Sequence, residues 1–162
     1  MPTEFLRNLG EYVASCAHIE WAAWLLCLEL KGLDPHDKDQ FDKTRPLLKK
    51  PGIDGKLSDL KNAASTAPHE IQGRIREVCK RIEAGTENRH MAIHGAWQVG
   101  NLGDMSVTFF KNFGDSKQAD WRDHSQTIDA DYIAFALNDA NEILVEVYGI
   151  REAVSEWKKT VP

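Results

Sequence analysis

The sequence predicts an all-α protein, a helical bundle of four to five helices with a small β-hairpin inserted after one of them. Two observations carry this prediction. Apolar residues recur every three to four positions over most of the chain, which is the period of an amphipathic helix. Residues 97–110 change to the alternation that is typical of β-strands. The 162 residues are 42% hydrophobic and 28% charged, which is a globular composition, and we expect a single domain over 1–162.

The first long helix is predicted from about Thr3 to Lys31. Gly32 is a natural stop, because glycine tolerates the left-handed backbone that follows many helix ends. Glu20 falls on the apolar stripe of this helix, where an ionised carboxylate costs several kcal/mol unless it is paired. The stripe consists of Leu6, Leu9, Val13, Cys16, Ala17, Trp24, Cys27 and Leu28.

Two short helices are predicted next. Asp34 and Pro35 form a favourable helix start, because the carboxylate can cap the helix and proline fits its first turn. Pro46 then blocks continuation. A turn at Pro51-Gly52 leads to the second short helix, near Leu57 to Ala64.

The following strong helix opens at Thr66 and Pro68. Gly85-Thr86 interrupts it, because glycine weakens a helix by about 1 kcal/mol and threonine can cap a new one. A second helical piece is predicted from about Glu87 to Ile93, and Gly95 ends it. The buried stripe before the interruption consists of Ile71, Ile75, Val78, Cys79 and Ile82.

Strand spacing follows. The stretches 97–99 and 105–110 are separated by the turn-rich residues 100–104, which predicts a two-stranded hairpin. Residues 111–126 are predicted to form a polar loop. Trp121 lies in this loop and is therefore the tryptophan expected to be exposed and able to stack on a nucleobase, whereas most of the other four are assigned to the core.

The last helix is predicted to start at Thr127 or Ile128. Asp129 and Asp131 fall in its first turn, where carboxylates suit the helix dipole. Three long amphipathic helices with shorter ones between them make a bundle. The apolar side of the last helix consists of Tyr132, Ile133, Ala136, Ala140, Ile143, Leu144, Val147 and Val154.

Composition and charge exclude several classes of protein. The formal net charge is −5, which argues against a protein that coats nucleic acid without specificity. The longest apolar run, Trp21 to Leu28, has eight residues, whereas a membrane-spanning helix needs ~20. The N-terminus lacks the basic lead and the cleavage site of a signal peptide. Three cysteines are an odd number, and we expect them reduced and buried in a cytoplasmic protein.

The densest group of reactive side chains lies in residues 87–95, which hold one Arg, one Asn and two His. Three interpretations compete. His90 and His94 share a helix face and have a spacing that zinc can use, but no third ligand is indicated. Alternatively, a histidine near a helix end can simply bond to unpaired carbonyls. In the third interpretation, Arg89 holds a phosphate and a histidine transfers a proton, which is the chemistry of RNA cleavage.

Geometry restricts the third interpretation. Arg89 and His94 are five positions apart, so on a regular helix their side chains point about 140° from one another. They meet only if the helix ends or distorts near His94, or if the site is shared with another subunit.

Residues 88–97, Asn-Arg-His-Met-Ala-Ile-His-Gly-Ala-Trp, resemble the signature of the HEPN superfamily. That signature is an Arg, a polar residue, a few further residues and a His that is frequently followed by Gly. The order of a long first helix, a motif at the end of a later long helix and a closing helix is similar too. The hairpin after the motif lies outside the minimal bundle of the family.

The resemblance implies a metal-independent endoribonuclease that needs no cofactor and forms a homodimer in which two motifs face one shared cleft. Members act in toxin–antitoxin, phage-defence or RNA-processing systems, so the implied partners are RNA and an antitoxin protein. The short apolar runs of the sequence predict no membrane partner. Other members keep the fold and have lost the activity. The alternative is therefore a catalytically inactive module that binds RNA, a nucleotide or a protein, and a third class is a purely structural interaction module.

The resemblance also assigns roles to residues. Arg89 would hold the scissile phosphate, and His94 would move the proton at the 2′-hydroxyl or the leaving oxygen, so that a 2′,3′-cyclic phosphate remains. His90 and Asn88 would bind or orient the substrate. For Glu20 we hypothesise that the carboxylate reaches Arg89 or a motif histidine and fixes its orientation; the alternative is that it lies at the edge of the stripe and faces solvent.

Overall fold

The computed structural model describes residues 1–34, 36–40, 52–100, 104–114, 118–129 and 131–161. Within these ranges the chain is mostly helical and carries one small three-stranded antiparallel sheet. The helical prediction is confirmed at this level. The predicted features at Pro35, Pro46 and Pro51 lie outside the described residues.

The helices follow the predicted order. The structure places residues 38–40 in helical conformation as well. The short helix that was expected near Leu57 begins five residues earlier, at Gly52. The bounds are α1 Thr3–Lys31, α2 Gly52–Ala63, a 3₁₀ turn Ala64–Thr66, α3 His69–Ala84, α4 Thr86–His94 and α5 Tyr132–Thr160.

The sheet has one more strand than predicted. Strands β1 (Ala96–Val99), β2 (Met105–Asn112) and β3 (Trp121–Ile128) lie in the order β1-β2-β3. The predicted β1–β2 hairpin is confirmed, because the two strands pair antiparallel. Next to this pairing, the Gly100 N–H donates to the Asp104 carbonyl at 2.8 Å. The prediction of a polar loop over 111–126 is wrong, because β2 continues to Asn112 and β3 pairs along its whole length.

The predicted start of α5 is wrong for the same reason. Ile128 is a strand residue paired with Met105, so the helix cannot begin at Thr127 or Ile128. Asp129 instead bonds to the residues that lead into the helix. Its carbonyl accepts the Tyr132 N–H at 3.0 Å, and its carboxylate accepts the Asp131 N–H at 3.0 Å.

The chain divides into two compact units. The sheet unit comprises Met1–Ala14 and Glu87–Asp139, and the helical unit comprises Ser15–Thr86 and Ala140–Pro162. The sheet unit contains the three strands and nearly all of α4. The single domain predicted over 1–162 stays a prediction.

The buried face of α1 differs from the predicted stripe at its N-terminal end. Leu6 is 46% exposed, whereas Phe5 and Tyr12 are 3% and 4% exposed. Phe5 and Tyr12 are seven positions apart and Cys16 follows four later, so these residues also keep helical spacing. They bury larger rings, and the Phe5 ring lies 5.2 Å from the Trp97 ring of β1.

The helical unit is held by aliphatic packing and by ion pairs between helices. Buried aliphatic residues line α2, α3 and the C-terminal parts of α1 and α5. Ion pairs that join these helices include Lys61–Glu83 at 2.5 Å, Arg74–Glu146 at 2.8 Å and Arg81–Glu142 at 3.0 Å. Cys16, Cys27 and Cys79 are buried thiols that form no disulfide, as predicted.

In the part of the chain that the structure describes, one helix, α1, is long and apolar enough to cross a membrane by length and composition. An 18-residue window of α1 has a mean hydropathy of 1.3, and half of that window is buried inside the protein. Core helices of soluble proteins and signal sequences have the same properties. The expectation of a protein without a membrane segment stays a prediction.

Candidate active site

The motif helix α4 follows α3 after a one-residue break. Gly85 ends α3 by donating its N–H to the Arg81 carbonyl at 3.1 Å, and Thr86 Oγ1 bonds to the Ile82 carbonyl at 3.3 Å. The break predicted at Gly85-Thr86 is therefore confirmed. Met91 and Ala92 are buried and anchor the helix, so the polar residues around them are left closer to the surface.

Gly95 makes the close transition from α4 to β1. Its N–H donates to the Met91 carbonyl at 2.9 Å, so the helical bonding continues through His94. A Cβ at this position would collide with the Met91 carbonyl oxygen and with the Val107 Cγ2 of β2. Only glycine fits this position without displacing the strand.

His90 bonds to the open edge of β2. Strand β1 begins at Ala96, opposite Thr108, so the Phe110 carbonyl lies past the end of β1. His90 Nε2 lies 3.0 Å from this oxygen. Because a carbonyl only accepts hydrogen bonds, Nε2 carries a proton and donates it. An ion pair between Lys111 and Glu87, at 2.6 Å, also joins β2 to the first turn of α4.

His94 is the exposed member of the histidine pair. Its ring centroid lies 4.9 Å from that of His90, as expected for two residues one turn apart on a helix face. The ring of His94 faces solvent, whereas that of His90 is half-buried and bonded to the sheet. Of the two, His94 is free to meet a substrate.

Arg89 lies on another side of the same helix. It is half-buried, and its Nε atom is shielded from solvent. The helix is regular through His94, so Arg89 and His94 leave its axis about 140° apart. The helix ends at His94 without a distortion before it, and the interpretation in which the two side chains meet across two subunits stays a prediction.

The other predicted site residues have partners of their own. Asn88 Oδ1 accepts a hydrogen bond from the Tyr132 hydroxyl at 2.6 Å, which fixes the start of α4 to the start of α5. Glu20 belongs to the helical unit, where its Oε2 accepts a bond from Lys56 Nζ at 3.0 Å. This ion pair is one way in which the carboxylate on the apolar stripe is neutralised, and the role of Glu20 in orienting the motif stays a prediction.

Sequence reasoning missed the aromatic residues that β2 and β3 bring to α4. The Phe109 ring lies 6.1 Å from His90 and 5.5 Å from His124, and the Trp121 ring lies 6.5 Å from His90. His124 also contacts the Phe113 ring at 5.8 Å. Because the region was assigned to a loop, its residues were not placed on a common surface. Trp121 is 60% exposed, as predicted.

Among the described residues, no group of three or more His, Cys, Asp or Glu side chains has an arrangement that could hold a metal ion. The His90 ring contacts the rings of His94, Phe109 and Trp121 and bonds to the Phe110 carbonyl. The arrangement is suited to proton transfer at His94 and to stacking against flat groups.

No family model, no curated protein and no solved structure matches this chain. The resemblance to the HEPN superfamily therefore rests on residues 88–97 and on the order of the helices. What it implies about activity is taken up below as a proposal.

Proposed function

We propose that this protein is a metal-independent endoribonuclease that leaves 2′,3′-cyclic phosphate ends. The observation that carries the proposal is the histidine pair at the end of α4. His94 is exposed, and its ring lies 4.9 Å from the ring of His90, which is itself held by the Phe110 carbonyl. An imidazole is thus presented to solvent from a rigid support, on the same helix as Arg89.

The chemistry needs only groups that the chain supplies. His94 removes the proton from a 2′-hydroxyl, and the 2′-oxygen attacks the adjacent phosphorus. The bond to the 5′-oxygen breaks and a cyclic phosphate forms. The leaving oxygen takes a proton from water, and the protonated His94 returns its proton to the solvent. A guanidinium stabilises the charge that develops on the phosphoryl oxygens, and Arg89 is the residue to which we assign this role.

His90 acts as a positioning residue in this proposal. Its Nε2 is engaged by the Phe110 carbonyl, so that its ring is fixed against the sheet. The fixed ring limits the rotamers of His94 one turn later. The loss of His90 is accordingly expected to lower the rate less than the loss of His94.

The angle between Arg89 and His94 favours a site completed by a second copy. Each cleft would take its arginine from one subunit and its histidine from the other. Symmetric dimers are the commonest homo-oligomers, and the resemblance implies the same arrangement.

The first experiment measures cleavage of a mixed RNA pool in EDTA. We expect the wild type to cleave and His94→Ala to lose about 10²- to 10⁴-fold in rate. Arg89→Ala is expected to lose a similar factor, with Arg89→Lys as a variant that keeps the charge. The matched controls are the exposed residues His18→Ala and Arg76→Ala, which should cleave as the wild type does. Equal cleavage by the wild type and His94→Ala would overturn the assignment.

Mixing the two inactive variants tests the shared site. If each cleft combines Arg89 of one copy with His94 of another, a mixed dimer of Arg89→Ala and His94→Ala contains one intact cleft. Activity should then return in the mixture, although neither variant cleaves alone. No recovery in a mixture that exchanges subunits would place both residues in one chain.

A further inference from the structure

The end of the β2–β3 hairpin exposes three aromatic rings. Phe110, Phe113 and Trp121 are 66%, 53% and 60% exposed. A large ring in water forgoes the favourable free energy of burial. Single exposed apolar residues are ordinary, but several together mark a binding surface.

Two of these rings share one face of the sheet. Phe110 is paired with Asp123, and Asn112 is paired with Trp121. Directly paired residues of neighbouring strands point to the same face, so Phe110 and Trp121 are diagonal neighbours on it, with an expected Cβ separation of roughly 7–8 Å or less. Two flat groups can therefore lie on this face side by side, each against its own ring.

This surface is continuous with the proposed site. The Trp121 ring lies 6.5 Å from the His90 ring, and the His90 ring lies 4.9 Å from the His94 ring. At the same end of the hairpin, Lys111 Nζ lies 5.7 Å from the centre of the Phe113 ring. This contact keeps the ammonium at the edge of the aromatic surface, where it is also paired with Glu87.

We infer that the substrate of the proposed nuclease is single-stranded RNA, whose unpaired bases stack on Trp121 and Phe110 while the chain reaches His94. This inference rests on the proposed function and names its substrate class. Stacking on an exposed side chain needs a free base face, and in an RNA duplex each base face is covered by its neighbours. The face of the sheet therefore selects against double-stranded RNA.

The charges of this region indicate that stacking outweighs phosphate neutralisation. Lys111 is paired with Glu87 at 2.6 Å, and Arg122 is paired with Asp120 at 2.5 Å. Because both cations are already neutralised, binding should release few counterions. We expect the affinity to change by less than about tenfold between roughly 50 and 200 mM salt.

Binding is measured with the full chain carrying His94→Ala, so that RNA is not consumed. The probes are a fluorescent single-stranded 12-mer and the same sequence as a 12-bp RNA duplex, followed by anisotropy. We expect binding of the single strand only. Adding Trp121→Ala should weaken binding by about 5- to 100-fold, and Trp121→Phe should restore most of it. Trp21→Ala is the matched control, because Trp21 is 50% exposed but lies in the helical unit.

The outcomes separate this inference from the proposed function. If the wild type does not cleave but Trp121→Ala loses the single strand, the surface is confirmed and the nuclease assignment is wrong. If the wild type cleaves and Trp121→Ala binds and cleaves as well as Trp21→Ala, the nuclease remains and the stacking surface is wrong. Equal binding of the single strand and the duplex, or an affinity that falls steeply with salt, would also overturn the inference.

Discussion

The sheet unit and the helical unit use different side chains for their stability. In the helical unit, buried aliphatic residues pack between helices, and charged residues pair across them, as Arg74 does with Glu146 at 2.8 Å. In the sheet unit, histidines contact aromatic rings and bond to backbone, as His90 does with the Phe110 carbonyl. The comparison teaches that charged side chains join the helices of the helical unit to one another, whereas the sheet unit leaves His94 exposed beside the bonded His90.

The largest expected effect on stability is in the helical unit. Leu57 has no exposed surface, so Leu57→Ala leaves a cavity and should lower the free energy of unfolding by about 2–5 kcal/mol. Urea denaturation measures this loss. Because Leu57 is remote from α4 in sequence and belongs to the other unit, the RNA cleavage rate per folded molecule should not change. Ser58→Ala, at the exposed neighbouring position, is the control; a fall in the rate of folded Leu57→Ala would break the comparison.

Gly95→Ala should affect stability and activity together. The added Cβ meets a backbone carbonyl of α4 and the side chain of Val107, so either the helix or the strand must shift, at a cost of about 1–3 kcal/mol. The shift would also move His94. Gly73→Ala is the matched control, because a Cβ there meets nothing within 4 Å and alanine favours a helix by roughly 0.5–1 kcal/mol. Thermal unfolding should therefore show opposite signs for the two variants.

The thiol of Cys79 provides a pH-dependent test of the helical core. Burial raises the pKa of Cys79 from 9.0 to about 12. Above pH 9 the unfolded chain loses this proton while the folded chain keeps it. The contribution of the thiol to the free energy of unfolding is therefore complete below pH 9 and falls by about 1.4 kcal/mol per pH unit above it. Cys79→Ala should flatten that part of the stability profile. At pH 8 the thiol should react with iodoacetamide only after unfolding, and labelling of the folded protein would contradict its burial.

The smallest expected effect concerns a surface ion pair. Glu146→Gln removes the carboxylate whose hydrogen bond raises the pKa of Arg74. Both side chains are partly exposed, so the loss of stability should be about 0.2–1 kcal/mol and should shrink in high salt. A double-mutant cycle with Arg74→Ala measures it. A coupling much larger than this range would mean that the helical unit depends on its ion pairs as strongly as on its core.

Sequence periodicity predicted the helices well where one face is buried and the other is not. Ile71, Ile75, Val78 and Cys79 of α3 are all buried at the expected spacing. The same reasoning missed β3, because Ile128 is the one buried residue among its eight positions. A strand that pairs on its backbone and exposes its side chains leaves no alternating apolar signal. In α1 the spacing allowed two stripes, and the larger rings of Phe5 and Tyr12 decided between them.

The motif residues could be identified from their type and spacing, but the side chains and backbone groups that contact them could not be predicted. The helical spacing of His90 and His94 predicted that they share a face, and their ring distance agrees with it. The bond from His90 to Phe110 depends on where β1 ends relative to β2, which is a property of strand register. For the same reason, the contacts of Trp121 and His124 could not be inferred until β3 was placed.

The division of the chain has a consequence for its synthesis. Each compact unit is assembled from two separated stretches of sequence, and α1 and α5 each contribute residues to both. On the ribosome, the first fourteen residues of the sheet unit emerge long before residues 87–139, which complete it. The helical unit lacks its last segment for longer still. The nascent chain thus carries His94 without its completed surroundings until residues 95–139 have been synthesised.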